Sequence, residues 1–177
     1  MFFIPGIFIT VITFPGVIVH ELAHQLFCRW FKVPVFEVCY FRVGNPAGYV
    51  IHEKASKTYQ QVFISIGPFI INTVLGFLIA SPAVLQYQFD SANILDMLLL
   101  YLGVSIAMHA FPSTGDASAL WSSVMENEHT TWLTKVLVAP IVGFIYLGAL
   151  GSFFWLDLLY GIGVAYGLPL LLIKLLA

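Results

Sequence analysis

Apolar residues run along this chain in long blocks rather than in the alternation of a half-buried strand. Blocks of spanning length occupy about Phe2 to Phe27, Val62 to Leu85, Ile94 to Phe111, Val136 to Phe154 and Leu158 to Leu176. Each approaches the roughly 17 to 25 residues that a helix needs to cross a bilayer, the third being the shortest. Two polar segments interrupt them, Arg29 to Gln61 and Pro112 to Thr134. Within the first, Val35 to Val43 and Ala47 to His52 are rich in Val, Tyr, Phe and Ile around Gly44-Asn45-Pro46, a breaker cluster that predicts a β-hairpin. The pattern therefore predicts an all-α polytopic membrane protein of about five transmembrane helices, with a small hairpin in its first loop, about residues 33–57.

Composition agrees and narrows the choice. Sixty per cent of the 177 residues are hydrophobic, 9% are charged, and mean hydropathy is +0.94. A soluble domain carries about 25% charged residues, so a water-soluble globular protein is excluded and the lipid bilayer is the expected surrounding. No nucleic-acid partner is expected. There are no repeats and no separate soluble domain, so residues 1–177 are expected to form one membrane domain: a three-helix core over 1–117 and two further helices over 134–177. The first block lacks a basic leader, and its apolar run leads straight into charged chemistry, which predicts a retained helix rather than a cleaved signal peptide. Cys28 and Cys39, eleven residues apart, suit neither a disulfide framework nor a CxxC metal site.

Charge sets the expected orientation. Arg29, Lys32, Arg42, Lys54 and Lys57 lie in the first loop, Lys135 opens the fourth block and Lys174 closes the fifth. With five alternating crossings all seven fall on one face, which the positive-inside rule makes cytoplasmic. The N-terminus is then outside and the C-terminus inside.

At the end of the uncharged first block stands His20-Glu21-Leu22-Ala23-His24, an HExxH motif. On a helix, positions i and i+4 share a face, so His20 and His24 can grip one zinc ion while Glu21, about 100° round, acts as general base on a water activated there. Ionisable residues inside a membrane are costly and mark functional sites. Catalytic zinc takes three protein ligands, so a third must come from elsewhere. The candidates on the same side are Glu37, His52, Glu53, His109, Asp116, Glu126, Glu128 and His129. Asp116 follows the third block after Pro112 and Gly115, which bend the chain and can turn a carboxylate back toward the helices. His109 is open as a second donor, an oxyanion-stabilising group or the third ligand.

HELAH on the first core helix, Gly67-Pro68 with Asn72 on the next and a Pro-containing turn ending in Asp116 resemble the three-helix core of the site-2 protease family of intramembrane zinc metalloproteases. The resemblance covers about Ile12 to Ala117. It implies that Asp116 supplies the third zinc ligand and that Asn72 sits near the site, where its amide helps to hold substrate or the oxyanion. It implies regulated intramembrane proteolysis of transmembrane protein substrates, with Zn2+ as the cofactor. This chain departs from the family pattern in carrying His109 where many members have Asn and Ala117 after the Asp, and in its spacings.

The expected activity is hydrolysis of a peptide bond in a membrane segment near the cytoplasmic face, Glu21 taking a proton from water and passing it to the leaving amine. The hairpin edge is expected to hold the unwound substrate by backbone hydrogen bonds. Two rivals remain: a catalytically inactive binding or chaperone-like membrane protein that keeps the fold, against which intact Glu21 argues, and a different multispanning HExxH protease with a Glu ligand on a later helix, against which the lack of Glu in the last two blocks argues.

Overall fold

The structure, a computed structural model, describes residues 6–126 and 130–176. Its first apolar block is two helices rather than the single rod expected from Phe2 to Phe27, whose first residues lie outside the described ones. Helices α1 (Gly6–Ile12) and α2 (Phe14–Trp30) meet at Thr13 with a bend of 80°. Pro15 supplies the reason. In the first turn of α2 its missing N–H costs nothing, but a helix continuous through it would drive its ring against the carbonyl four residues back, that of Val11.

Helix α4 (Ile94–Met108) closes this break with residues spaced one turn apart. The Tyr101 hydroxyl donates to the Ile12 carbonyl at 2.6 Å and the Ser105 hydroxyl to the Thr13 carbonyl at 3.0 Å. The Gly16 N–H donates to Ser105 Oγ at 3.1 Å. The Thr13 hydroxyl meets His109 Nε2 at 2.8 Å. Backbone groups that the bend leaves unpaired are thus satisfied from a neighbouring helix, as hydrocarbon surroundings require. Gly16 is obligatory here, because a β-carbon on it would lie 2.0 Å from the Ser105 carbonyl oxygen.

Helix α3 (Thr58–Gln88) is 31 residues, about 46 Å long, and contains Pro68 and Pro82. It packs on α4 through small residues. A β-carbon on Gly76 would stand 2.7 Å from that of Ala107, and one on Gly103 would stand 2.6 Å from that of Ala80. Such close backbone approach is how membrane helices gain packing energy. Helix α6 (Trp132–Ser152) follows, then a continuous segment Leu156–Leu176 made of α7 (Leu156–Ile162), a π turn (Gly163–Gly167) and α8 (Leu168–Leu176).

Among the described residues three helices, α3, α6 and Leu156–Leu176, are long and apolar enough to cross a membrane, or four if the bent α1–α2 pair is counted as one span. Helix α4, at 15 residues, is apolar but shorter than a full span. The five expected blocks thus appear as three helices of spanning length, one bent helix pair and one short helix.

The hairpin pairs β1 (Val35–Cys39) antiparallel with β2 (Tyr49–His52), with a register shift between Val35 and Glu37. Both strands are shorter than the apolar pattern suggests, because Arg42 closes the loop between them: its N–H donates to Ala47 O at 2.7 Å and its Nε to Pro46 O at 2.9 Å. The second polar segment holds one further helix, α5 (Thr114–Met125). Its Ala117, Leu120 and Val124 are fully buried against Val138, Val142 and Ile145 of α6, which fixes α5 against that helix.

Candidate metal centre

Residues 20 and 24, one turn apart on α2, bring their Nε2 atoms to 3.2 Å from one another. Asp116, in the first turn of α5, places Oδ1 at 3.4 Å from His24 Nε2. One ligand atom from each of the three residues lies within 4.8 Å of the others.

Each side chain is held at its far end. His20 Nδ1 donates to the backbone oxygen of His109 at 2.7 Å, and His24 Nδ1 donates to that of Ile64 at 2.8 Å. A carbonyl only accepts, so each Nδ1 carries a proton, which leaves Nε2 as the ring atom available to a metal. Asp116 Oδ2 receives the Ser113 N–H at 2.8 Å and the Ser113 hydroxyl at 2.6 Å, while Ser113 Oγ receives the Asp116 N–H at 3.2 Å. This is a reciprocal helix cap. It occupies Oδ2 and leaves Oδ1 facing the histidines. Burial by itself would push the Asp116 carboxyl up, but His24, His20 and the Ser113 hydrogen bonds outweigh it and hold the group below the usual carboxylate range.

The three potential ligand atoms therefore converge on one point, an arrangement that could hold a cation. Ligand atoms on a tetrahedral zinc ion, with bonds of about 2.0 to 2.1 Å, stand about 3.3 Å apart. The 3.2 and 3.4 Å separations match that spacing, and two imidazoles with a carboxylate are a donor set suited to zinc. The residues present fit the ion.

A cavity of about 830 Å3 opens on these atoms between α1 and α2, the hairpin loop and the turn from His109 into α5. Glu21 lines it and is only 8% exposed. Its cover is Gly48, where a β-carbon would come within 2.6 Å of Glu21 Cγ, so the hairpin backbone lies directly on the Glu21 side chain. Tyr49, Val50 and His52 of β2 also line the cavity.

Two expected site residues have other duties. Asn72 is fully buried and does not line the cavity. Its amide nitrogen faces the carbonyls of Gly16 at 3.2 Å, Ile106 at 3.1 Å and His109 at 3.1 Å, which makes it a brace across α2, α3 and α4 rather than a group that reaches substrate or an oxyanion. His109 does line the cavity. The Thr13 hydroxyl already donates to Ile9 O at 2.7 Å, so the bond between Thr13 and His109 requires the proton on His109 Nε2. With Nε2 so engaged, the His109 ring is tied to the helix break. It is the backbone oxygen of His109 that serves the site.

The remaining third-ligand candidates are not grouped with these three atoms, although His52 lines the same cavity. Glu37 accepts from the Tyr49 hydroxyl, His52 donates to Glu53 O and Glu126 pairs with Lys54. Glu128 and His129 lie outside the described residues. Ser113, Ser65 and Gly48 are the site's unanticipated members, Ser65 through its hydroxyl, which donates to Asp116 O at 3.3 Å. Only Ser113 carried a readable signal: Ser113-Thr-Gly-Asp116 is an S-x-x-D helix-start pattern.

Residues 13–130, two thirds of the chain, match a family model described as "putative zincin peptidase". No curated protein and no solved structure matches the chain.

Proposed function

Since the chain belongs to this zincin peptidase family, we propose that its zinc metallopeptidase chemistry is intramembrane proteolysis of the site-2 protease type, cutting membrane-spanning segments of membrane-bound substrates. The observation that carries this reading is the position of the HELAH helix. His20, Glu21 and His24 sit in the broken apolar pair α1–α2 and pack among helices of spanning length, with Asp116 arriving from the helix that follows α4.

His20 and His24 would hold the ion through Nε2 and Asp116 through Oδ1. Zinc, when bound, supplies a Lewis acid that lowers the pKa of water toward about 7 and polarises the carbonyl to be cut. Glu21 takes the proton of the attacking water on its carboxylate and later delivers it to the nitrogen of the leaving amine. Gly48 above it keeps the carboxylate dry and oriented. The cavity-lining residues of β2 offer an extended partner to an unwound substrate segment, whose own backbone groups need hydrogen bonds once its helix opens. Counting the bent α1–α2 pair and the short α4 each as a crossing gathers the seven Lys and Arg residues on one face, which would orient this cavity toward the cytoplasm, with the N-terminus outside and the C-terminus inside.

The deciding experiment is Glu21→Gln in the protein reconstituted with a model transmembrane substrate. Zinc content is expected to stay at the wild-type level while cleavage is lost; cleavage at the wild-type rate would overturn the reading.

A further inference from the structure

The two carbonyl oxygens that orient the zinc-binding histidines are both ones that a neighbouring proline leaves free. Ile64 lies in α3, where its oxygen would ordinarily accept from the N–H four residues on. That residue is Pro68, which has no N–H. The pyrrolidine ring also presses on the carbonyl four residues back and tilts it off the helix axis. The oxygen so released is the one that receives His24 Nδ1 at 2.8 Å. His109 O repeats the arrangement at the end of α4. The residue three further on is Pro112, again without an N–H, and the Ser113 N–H beyond it is committed to Asp116 Oδ2 at 2.8 Å. His109 O is left to receive His20 Nδ1 at 2.7 Å.

Building on the zinc-site reading above, we propose that Pro68 is a positioning residue of the metal centre, reserving the Ile64 carbonyl for His24 so that this histidine is held with Nε2 toward the ion. Pro68 touches neither metal nor substrate. It is fully buried at a point where α3 faces α2, and Gly67 beside it lets Phe27 of α2 pack against the helix, a β-carbon there falling 2.4 Å from the Phe27 ring. The other proline of α3, Pro82, is a natural control. It interrupts the same helix in the same way, and the oxygen it releases belongs to Leu78, which is half a helix away from the histidines and largely exposed.

The position predicts opposite signs for two measurements. Replacing a proline inside a helix by alanine restores a hydrogen bond and improves helix propensity, so a purely structural account of Pro68 predicts a chain that is as stable or more stable and otherwise unchanged. The positioning role predicts that the new N–H draws the Ile64 carbonyl back into α3 and loosens His24. Partners of metal-bound histidines typically change affinity by about 10- to 100-fold when lost.

The test is a zinc dissociation constant by chelator competition, with thermal unfolding of the metal-free protein, for wild type, Pro68→Ala, Pro68→Val and Pro82→Ala. Both Pro68 variants are expected to fold with metal-free stability equal to or above wild type and to bind zinc about 10-fold more weakly, the valine filling the buried volume while carrying the same N–H. Pro82→Ala is expected to bind zinc as wild type does. Unchanged zinc affinity in the Pro68 variants, an equal loss in Pro82→Ala, or failure of both Pro68 variants to fold would each overturn the proposal and leave the metal centre standing. A wild-type chain that binds no zinc would overturn the centre itself, and this proposal with it.

Discussion

Asn72 and His20 meet on one acceptor, the backbone oxygen of His109, at 3.1 and 2.7 Å. The amide fixes the carbonyl, the carbonyl fixes the imidazole, and the imidazole presents Nε2. Replacing Asn72 by Leu keeps the volume and removes the donor. Three carbonyls that now face the amide lose it, and a destabilisation of about 1 to 3 kcal/mol is expected, read as a lower unfolding temperature together with weaker zinc binding. Asn72→Asp should be worse than Asn72→Leu, because a buried carboxylate would face those same oxygens. A Leu variant with wild-type stability and only a raised KM would restore Asn72 to a substrate-binding role.

Asp116 and His109 separate cleanly by metal content. Asp116→Ala removes Oδ1 and should leave the purified protein short of zinc at stoichiometric loading. His109→Ala keeps the backbone oxygen that holds His20 and should retain the metal, although it loses the bond to Thr13 at the helix break. The reverse pattern would transfer the third ligand to His109.

Ser113 gives Asp116 Oδ2 two donors and takes its N–H in return. With Ser113→Ala one donor and the cap acceptor vanish, and zinc affinity is expected to fall by about 10-fold. Ser113→Thr restores the hydroxyl and should restore affinity. Equal affinity in all three proteins would show that the cap serves α5 alone.

Gly48 tests the hairpin against the chemistry. A β-carbon there must displace either the loop or the Glu21 side chain, since it would lie 2.9 Å from Glu21 Oε1. Gly48→Ala should therefore lower kcat by about 10-fold or more while zinc content stays at the wild-type level, a misplacement of about 1 Å sufficing for such a loss. Reduced zinc in this variant would mean that the hairpin supports the ligands rather than the base.

How far the sequence foretold this arrangement depends on the range of each signal. HELAH was legible because i and i+4 are neighbours on any helix. The hairpin was legible because Gly44-Asn45-Pro46 breaks two β-rich runs, although strand length was overread where Arg42 ties the loop to Ala47 and Pro46. The bend in the first block is held by Tyr101, Ser105 and His109 reaching across from α4 and its end, which no local pattern encodes. Helix α5 was hidden inside a segment read as a polar connection, although Ser113 with Asp116 is a helix-start signal. Asp116 caps that helix through Oδ2 and leaves Oδ1 toward the histidines. Asn72 shows the converse limit. Its type and neighbourhood suggested substrate contact, whereas its full burial beneath three carbonyls is a property of the assembled helices.

The parts of the centre are strung far apart in the chain. Its ligand atoms come from residues 20, 24 and 116, and the groups that hold them from residues 64, 109 and 113. No stretch that stops short of Asp116 contains the whole. On the ribosome the histidine-bearing segment is made first and the carboxylate long afterwards, when α2, α3 and α4 have already been synthesised. The nascent chain thus makes α2, α3 and α4 before the candidate centre can be complete, and α6 and the segment Leu156–Leu176 are added after it.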